Sequence, residues 1–198
     1  MELKAKHPPP SPVNEEVLLQ GPIDKVSPRY FDGIDETMIK NAARLTRGAA
    51  GPSNLDGEQF KMMLVSNKFK KEGKEMREQL ATMAKKLATE IIDPKCIESF
   101  VACKLIPLNK NPGVRPIGVG EIIRRIIGKA IGWILKPDIL EAAGPLQVST
   151  GIKGGAEAAI HAMKEVFGSD ENEAVILLDA RNAFNSLTRF SFYKKTFF

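Results

Sequence analysis

Asp179 closes an apolar run, Ala174-Val175-Ile176-Leu177-Leu178. A buried strand that delivers a carboxylate at its C-terminal end can hold Mg²⁺. The strand fixes the oxygens, and water and substrate phosphates supply the other ligands. The same pattern fits an ordinary acid that caps the next helix. It also fits the acidic strand of a P-loop ATPase, but that fold needs a Gly-x-x-x-x-Gly-Lys-Ser/Thr loop. None is present, and Gly151-Ile-Lys-Gly-Gly155 lacks the Lys-Ser/Thr ending. Phe184 lies five residues after Asp179. An aromatic there can sit beneath an incoming sugar and leave no room for a 2′-hydroxyl. It can equally be a core aromatic in the first turn of a helix.

A second group of candidates lies upstream. Lys110 and Arg115 flank the turn-forming run Asn109-Lys-Asn-Pro-Gly113. A hairpin that folds over a triphosphate needs a point charge and a forked guanidinium, and Arg matches phosphate bidentately. Two solvated charges beside a turn would look the same. Gly154-Gly155, ahead of a helix, could let backbone N–H groups approach a phosphate, although glycine is common at helix starts. His161 reads as packing or surface.

The elements that must position these groups follow from hydrophobic spacing. Ile34 to Arg47 is helical, with Ile34, Met38, Ala42 and Leu45 on one stripe and Asp35 as N-cap. Gly48 to Asn54 breaks the chain. Asp56-Gly-Glu-Gln59 reads as a capping box opening a helix through about Val65. A longer helix is expected from Glu72 to Ile92, with Met76, Leu80, Met83, Leu87 and Ile91 inward and Asp93-Pro94 as its end. Phe100–Leu108 and Val114–Val119 read as the arms of a hairpin. Glu121 to Leu135 reads as a helix terminated by Pro137, and a further helix runs from the Gly154-Gly155 pair to about Phe167.

The chain of 198 residues is long enough for a substantial core, and 43% of it is hydrophobic. No apolar run reaches the ~18 residues of a membrane span, and Met1 to Pro10 lacks the apolar stretch of a signal peptide. Cys96 and Cys103 have no partner at metal spacing and read as reduced, buried thiols of an intracellular protein, in cytoplasm or nucleus. Residues 101–136 hold seven basic residues and one acid, Glu121, for a net +6; the whole chain is +5, so the remainder is −1. Such a local excess suits a polyanion partner; a solvated basic helix face gives the same count.

The order of these motifs is more specific than any one of them. Gly48-Ala-Ala-Gly-Pro-Ser-Asn-Leu-Asp56 precedes Cys103-Lys-Leu-Ile-Pro-Leu-Asn-Lys-Asn-Pro-Gly-Val-Arg-Pro-Ile117 and Gly118-Val-Gly-Glu-Ile-Ile-Arg-Arg-Ile-Ile-Gly-Lys129. Gln147, Gly154-Gly-Ala-Glu-Ala-Ala159 and Leu178-Asp-Ala-Arg-Asn-Ala-Phe-Asn-Ser186 follow. The sequence resembles, over roughly residues 30–189, the reverse transcriptase domain of retroelements without long terminal repeats.

The resemblance implies an α+β fold: a helical N-terminal region, then the fingers and partial palm of a right-hand polymerase. Its segments would be a disordered proline-rich leader (1–30), a helical extension and fingers (31–100), the fingers hairpin and first part of the palm (101–189), and an aberrant tail (190–198). It implies that Asp179 is the first metal-binding aspartate and Phe184 the sugar gate. Lys110 and Arg115 would contact the deoxynucleoside triphosphate, and Gln147 would lie near template and nucleotide. Gly51, Pro52 and Ser53 would touch the template. The basic residues Arg124, Arg125 and Lys129 would grip nucleic-acid phosphates. The implied partners are an RNA template and a DNA primer, with no membrane, and the implied cofactor is a pair of Mg²⁺ ions.

The family's second acidic motif does not occur in these 198 residues. The chain alone is therefore expected to be inactive. The alternative is a non-catalytic, nucleic-acid-binding retroelement remnant.

Overall fold

The structure, a computed structural model, describes residues 27–145, 147–148, 151–168 and Ile176. The described part is mixed helix with a small antiparallel sheet. It contains α1 (Glu36–Leu45), α2 (Gly57–Val65), α3 (Lys70–Thr89), a four-residue α4 (Glu98–Val101), β1 (Cys103–Asn109), β2 (Val114–Gly120), α5 (Ile122–Ala143) and α6 (Gly155–Phe167). Two compact units divide between Ile134 and Leu135, inside α5. No helix among the described residues is long and apolar enough to cross a membrane.

The core of the first unit is built by α1, α2 and α3, which pack on one another, and by the buried Ile122, Ile126, Ile127 and Ala130 of α5. Asp35 caps α1 as expected, its Oδ1 accepting from the Met38 N–H at 2.7 Å. The Asp56–Gln59 capping box is present in both directions, at 2.8 and 2.9 Å. Thr46 is buried after α1 and donates its hydroxyl to the Ala42 carbonyl at 2.7 Å. That bond satisfies one of the carbonyls a helix leaves open at its C-terminus.

The buried faces differ from the hydropathy stripes. In α1, Ile39, Ala42 and Ala43 are buried, Ile34 is buried just ahead of the helix, and Leu45 is 59% exposed. In α3, the buried line is Gly73, Arg77, Leu80, Ala81 and Ala84, while Ile91 is 72% exposed beyond the helix end at Thr89. The reason is close approach. A Cβ on Gly73 would stand 2.5 Å from the Met63 carbonyl oxygen of α2. Small residues let the helix axes come together, so the larger Met76, Met83 and Leu87 are left only partly covered.

Arg77 completes this core. Its Nε donates to Glu36 of α1 at 2.6 Å, and its Nη1 donates to the Leu64 carbonyl of α2 at 2.6 Å. One buried guanidinium thus ties three helices and satisfies a carbonyl in the last turn of α2.

Other expectations need correction. Pro28 belongs to a 3₁₀ turn, Pro28–Phe31, that buries Phe31, so ordered structure begins before residue 31. Phe100 lies in α4, and the hairpin begins at Cys103. Pro137 does not end α5, which continues to Ala143. Pro137 forgoes the bond to the carbonyl four residues back, but the turns on both sides keep their own. Both cysteines are free and exposed, because neither the 3₁₀ turn holding Cys96 nor the start of β1 is covered.

In the second unit, Gly154 has φ +71° at the N-cap of α6. Gly155 is buried so closely on the Val148 carbonyl that a Cβ would collide with it. Ile160, Met163, Val166 and Phe167 of α6 are exposed.

Candidate nucleic-acid and nucleotide site

The hairpin is where the sequence places it. The register runs from Cys103 opposite Gly120 to Asn109 opposite Val114. The Lys110 N–H donates to the Gly113 carbonyl at 2.7 Å and closes the loop. Arg115 stands opposite Leu108, one pair in from the loop end. Both basic side chains are exposed, so the ribbon brings two cations to its tip.

Pro107 and Pro116 face each other across this ribbon. Hydrogen-bonded and non-hydrogen-bonded pairs alternate in an antiparallel ladder. Counting back from the bonded Lys110–Gly113 pair puts the two prolines at a non-hydrogen-bonded position. There an N–H would point outward, so its loss costs no ladder bond. The two outer edges each lack a donor at this level, which blunts further strand addition.

The basic residues of α5 make a different structure from the one expected. Arg125 donates through Nη1 to the Arg47 carbonyl at 3.1 Å, and through Nη2 to the carbonyls of Ala49 and, at 3.4 Å, Gly120. Its Nε is buried without a partner. Lys129 Nζ donates to the Leu45 carbonyl at 3.0 Å, a cation at the C-terminus of α1. Arg124 lies over Gly120, where a Cβ would strike it, and donates to the Val101 carbonyl at 2.9 Å. Lys104 Nζ reaches Asn54 Oδ1 at 2.6 Å. These cations are tied to the 45–54 segment, the end of β2 and α4. Carbonyl oxygens do not neutralise a charge, so the positive field of the region persists.

Gly51 and Ser53 are likewise held from within. A Cβ on Gly51 would stand 2.8 Å from the Glu121 backbone, so only glycine fits this approach. Ser53 donates its N–H to Glu121 Oε1 and its hydroxyl to Oε2, both at 2.7 Å. Pro52 is exposed. Arg44 and Arg47 are exposed as well, and sequence reading passed over both because they lie outside the densest basic window. Glu121 was noted there only for its sign. Its standing alone among seven cations was the available signal.

The other candidates lie in the second unit or outside the described residues. Gln147 is exposed in the second unit, with its N–H donating to the Gly144 carbonyl at 3.4 Å. Gly155, suggested as a phosphate approach, gives its N–H to the Ile152 carbonyl at 3.3 Å. His161 is exposed on α6. Asp179 and Phe184 lie outside the described residues. Ile176, the described residue of the expected buried strand, has no regular structure and is 81% exposed, because no described element covers it. No group of three or more His, Cys, Asp or Glu gathers among the described residues to hold a metal. Compared with protein-family models, curated proteins and solved structures, the chain has no match.

Proposed function

We propose that this chain is the fingers and opening palm of an RNA-directed DNA polymerase, of the reverse transcriptase kind carried by retroelements without long terminal repeats. The observation that carries the reading is the hairpin that exposes Lys110 and Arg115 together at its tip. It stands within an ordered series of motifs that begins at Gly48 and ends at Asp179 and Phe184. The exposed cations suit a triphosphate, and the positive 44–54 region suits a template strand.

In this reading Asp179 supplies one carboxylate of the kind Mg²⁺ takes. Bound metal would stabilise the attacking and leaving oxygens of phosphoryl transfer. The other acids are not gathered among the described residues, and the role given to this chain is to bind and orient. A chain that binds nucleic acid without catalysis would use the same positive surface, and primer extension separates the two readings.

Titration of the chain with a deoxynucleoside triphosphate and Mg²⁺ tests the proposal. Lys110→Ala and Arg115→Ala should each weaken binding by about tenfold, the scale of a charge-assisted hydrogen bond, with the melting temperature unchanged. Undiminished binding in both variants would remove the hairpin from the site. In a polypeptide active in primer extension, Asp179→Asn should abolish synthesis. Phe184→Ala should raise ribonucleotide incorporation relative to deoxynucleotide.

A further inference from the structure

Glu121 is the only acid among residues 101–136. Field arguments alone would count it as a defect in a polyanion-binding surface, because it subtracts from the positive potential. Its geometry gives it another use. The residue is 8% exposed, and both carboxylate oxygens are occupied by Ser53. Its backbone is the floor on which Gly51 rests without room for a side chain. Four residues on, Arg125 holds the carbonyls of Arg47 and Ala49. Glu121, just ahead of α5, and Arg125 in its first turn therefore grip the 47–53 segment at both ends, by its amide and hydroxyl donors through a carboxylate and by its carbonyls through a guanidinium. The segment has no regular secondary structure of its own beyond the turn at Pro52-Ser53, so these side chains set its shape.

We propose that Glu121 is a positioning residue. Through Ser53 it fixes the Gly51–Asn54 turn, with the exposed Arg47 beside it, in the shape that meets an RNA strand. The role rests on the nucleic-acid reading given above. It predicts the opposite of simple electrostatics. Glu121→Ala removes a negative charge from a basic surface, so charge alone would tighten RNA binding. Loss of the grip should weaken it.

The test uses the whole chain, a labelled single-stranded RNA oligonucleotide and amide hydrogen exchange. Glu121→Ala should weaken RNA binding by about tenfold, and Ser53→Ala by a similar factor. Ser53→Thr keeps the hydroxyl and should return affinity close to wild type. In the same samples the Ser53 amide should exchange slowly in the wild type and rapidly in Glu121→Ala, while the amides of α2 stay protected. RNA binding that Glu121→Ala leaves equal or tighter overturns the role, as does a Ser53→Thr chain no better than Ser53→Ala. A wild-type chain that binds no RNA overturns the nucleic-acid reading and this role with it.

Discussion

Arg77 shows how much a single side chain carries in the helical core. It is 7% exposed, and its guanidinium donates to Glu36 and to the Leu64 carbonyl. Removing one partner of a buried charged pair leaves the other group desolvated and unpaired. Glu36 keeps 30% of its side chain in solvent, which reduces that penalty. Arg77→Ala should therefore cost roughly 2–4 kcal/mol in urea unfolding. Gly73 poses a sharper question of sign. Alanine gains about 1 kcal/mol of helix propensity over glycine. Its Cβ, however, would press on the Met63 carbonyl oxygen at 2.5 Å, and overpacking of this kind costs about 1–3 kcal/mol. The clash is with backbone, which cannot swing aside, so Gly73→Ala should lower the unfolding midpoint.

The hairpin is the element on which the functional reading depends. It is a two-stranded ribbon among the described residues, with Leu105, Ile106, Leu108 and Ile117 exposed. Apolar residues beside open edges invite pairing with another chain. Pro107 and Pro116 counter this by removing an outward donor from each edge at one level. The double variant Pro107→Thr, Pro116→Thr should keep its secondary structure by circular dichroism. It should also aggregate faster at equal concentration, as followed by light scattering. If turbidity rises no faster than for the wild type, the edge-blocking role is wrong. α5 teaches a related lesson about proline. Pro137 lies within it, so a missing N–H weakens one rung and does not by itself set a helix boundary.

At the scale of the molecule, the positive charge of the first unit has two separable parts. Arg124, Arg125 and Lys129 are bonded to carbonyls of neighbouring segments, whereas Arg44 and Arg47 are exposed. The logarithm of RNA affinity should fall linearly with the logarithm of salt concentration, with a slope near −0.7 for each neutralised phosphate of a single strand. Arg47→Ala should reduce that slope by about 0.7 and leave the melting temperature unchanged. Arg125→Ala should lower the melting temperature, because the carbonyls of Arg47 and Ala49 lose their donor. An Arg125→Ala chain that melts like the wild type while its slope flattens would reverse this division of labour.

Local rules were legible in the sequence because their causes are local. The Asp35 cap, the Asp56–Gln59 box and the Asn109–Gly113 turn each involve residues within a few positions of one another, and each is found as expected. The order of the described helices α1, α2, α3, α5 and α6 and of the hairpin followed from hydrophobic spacing. What the sequence left undecided was rotation and partnership. Hydropathy put Leu45 and Ile91 inside, but the helices turn small residues and Arg77 inward, because close axial approach wins over side-chain size. Charge counting made Arg124, Arg125 and Lys129 one basic face. Tertiary structure set them against carbonyls from segments 23 to 84 positions away. Ser53 and Glu121 are 68 positions apart. Only folding brings the donor and hydroxyl of one to the carboxylate of the other, so no spacing in the sequence records that contact.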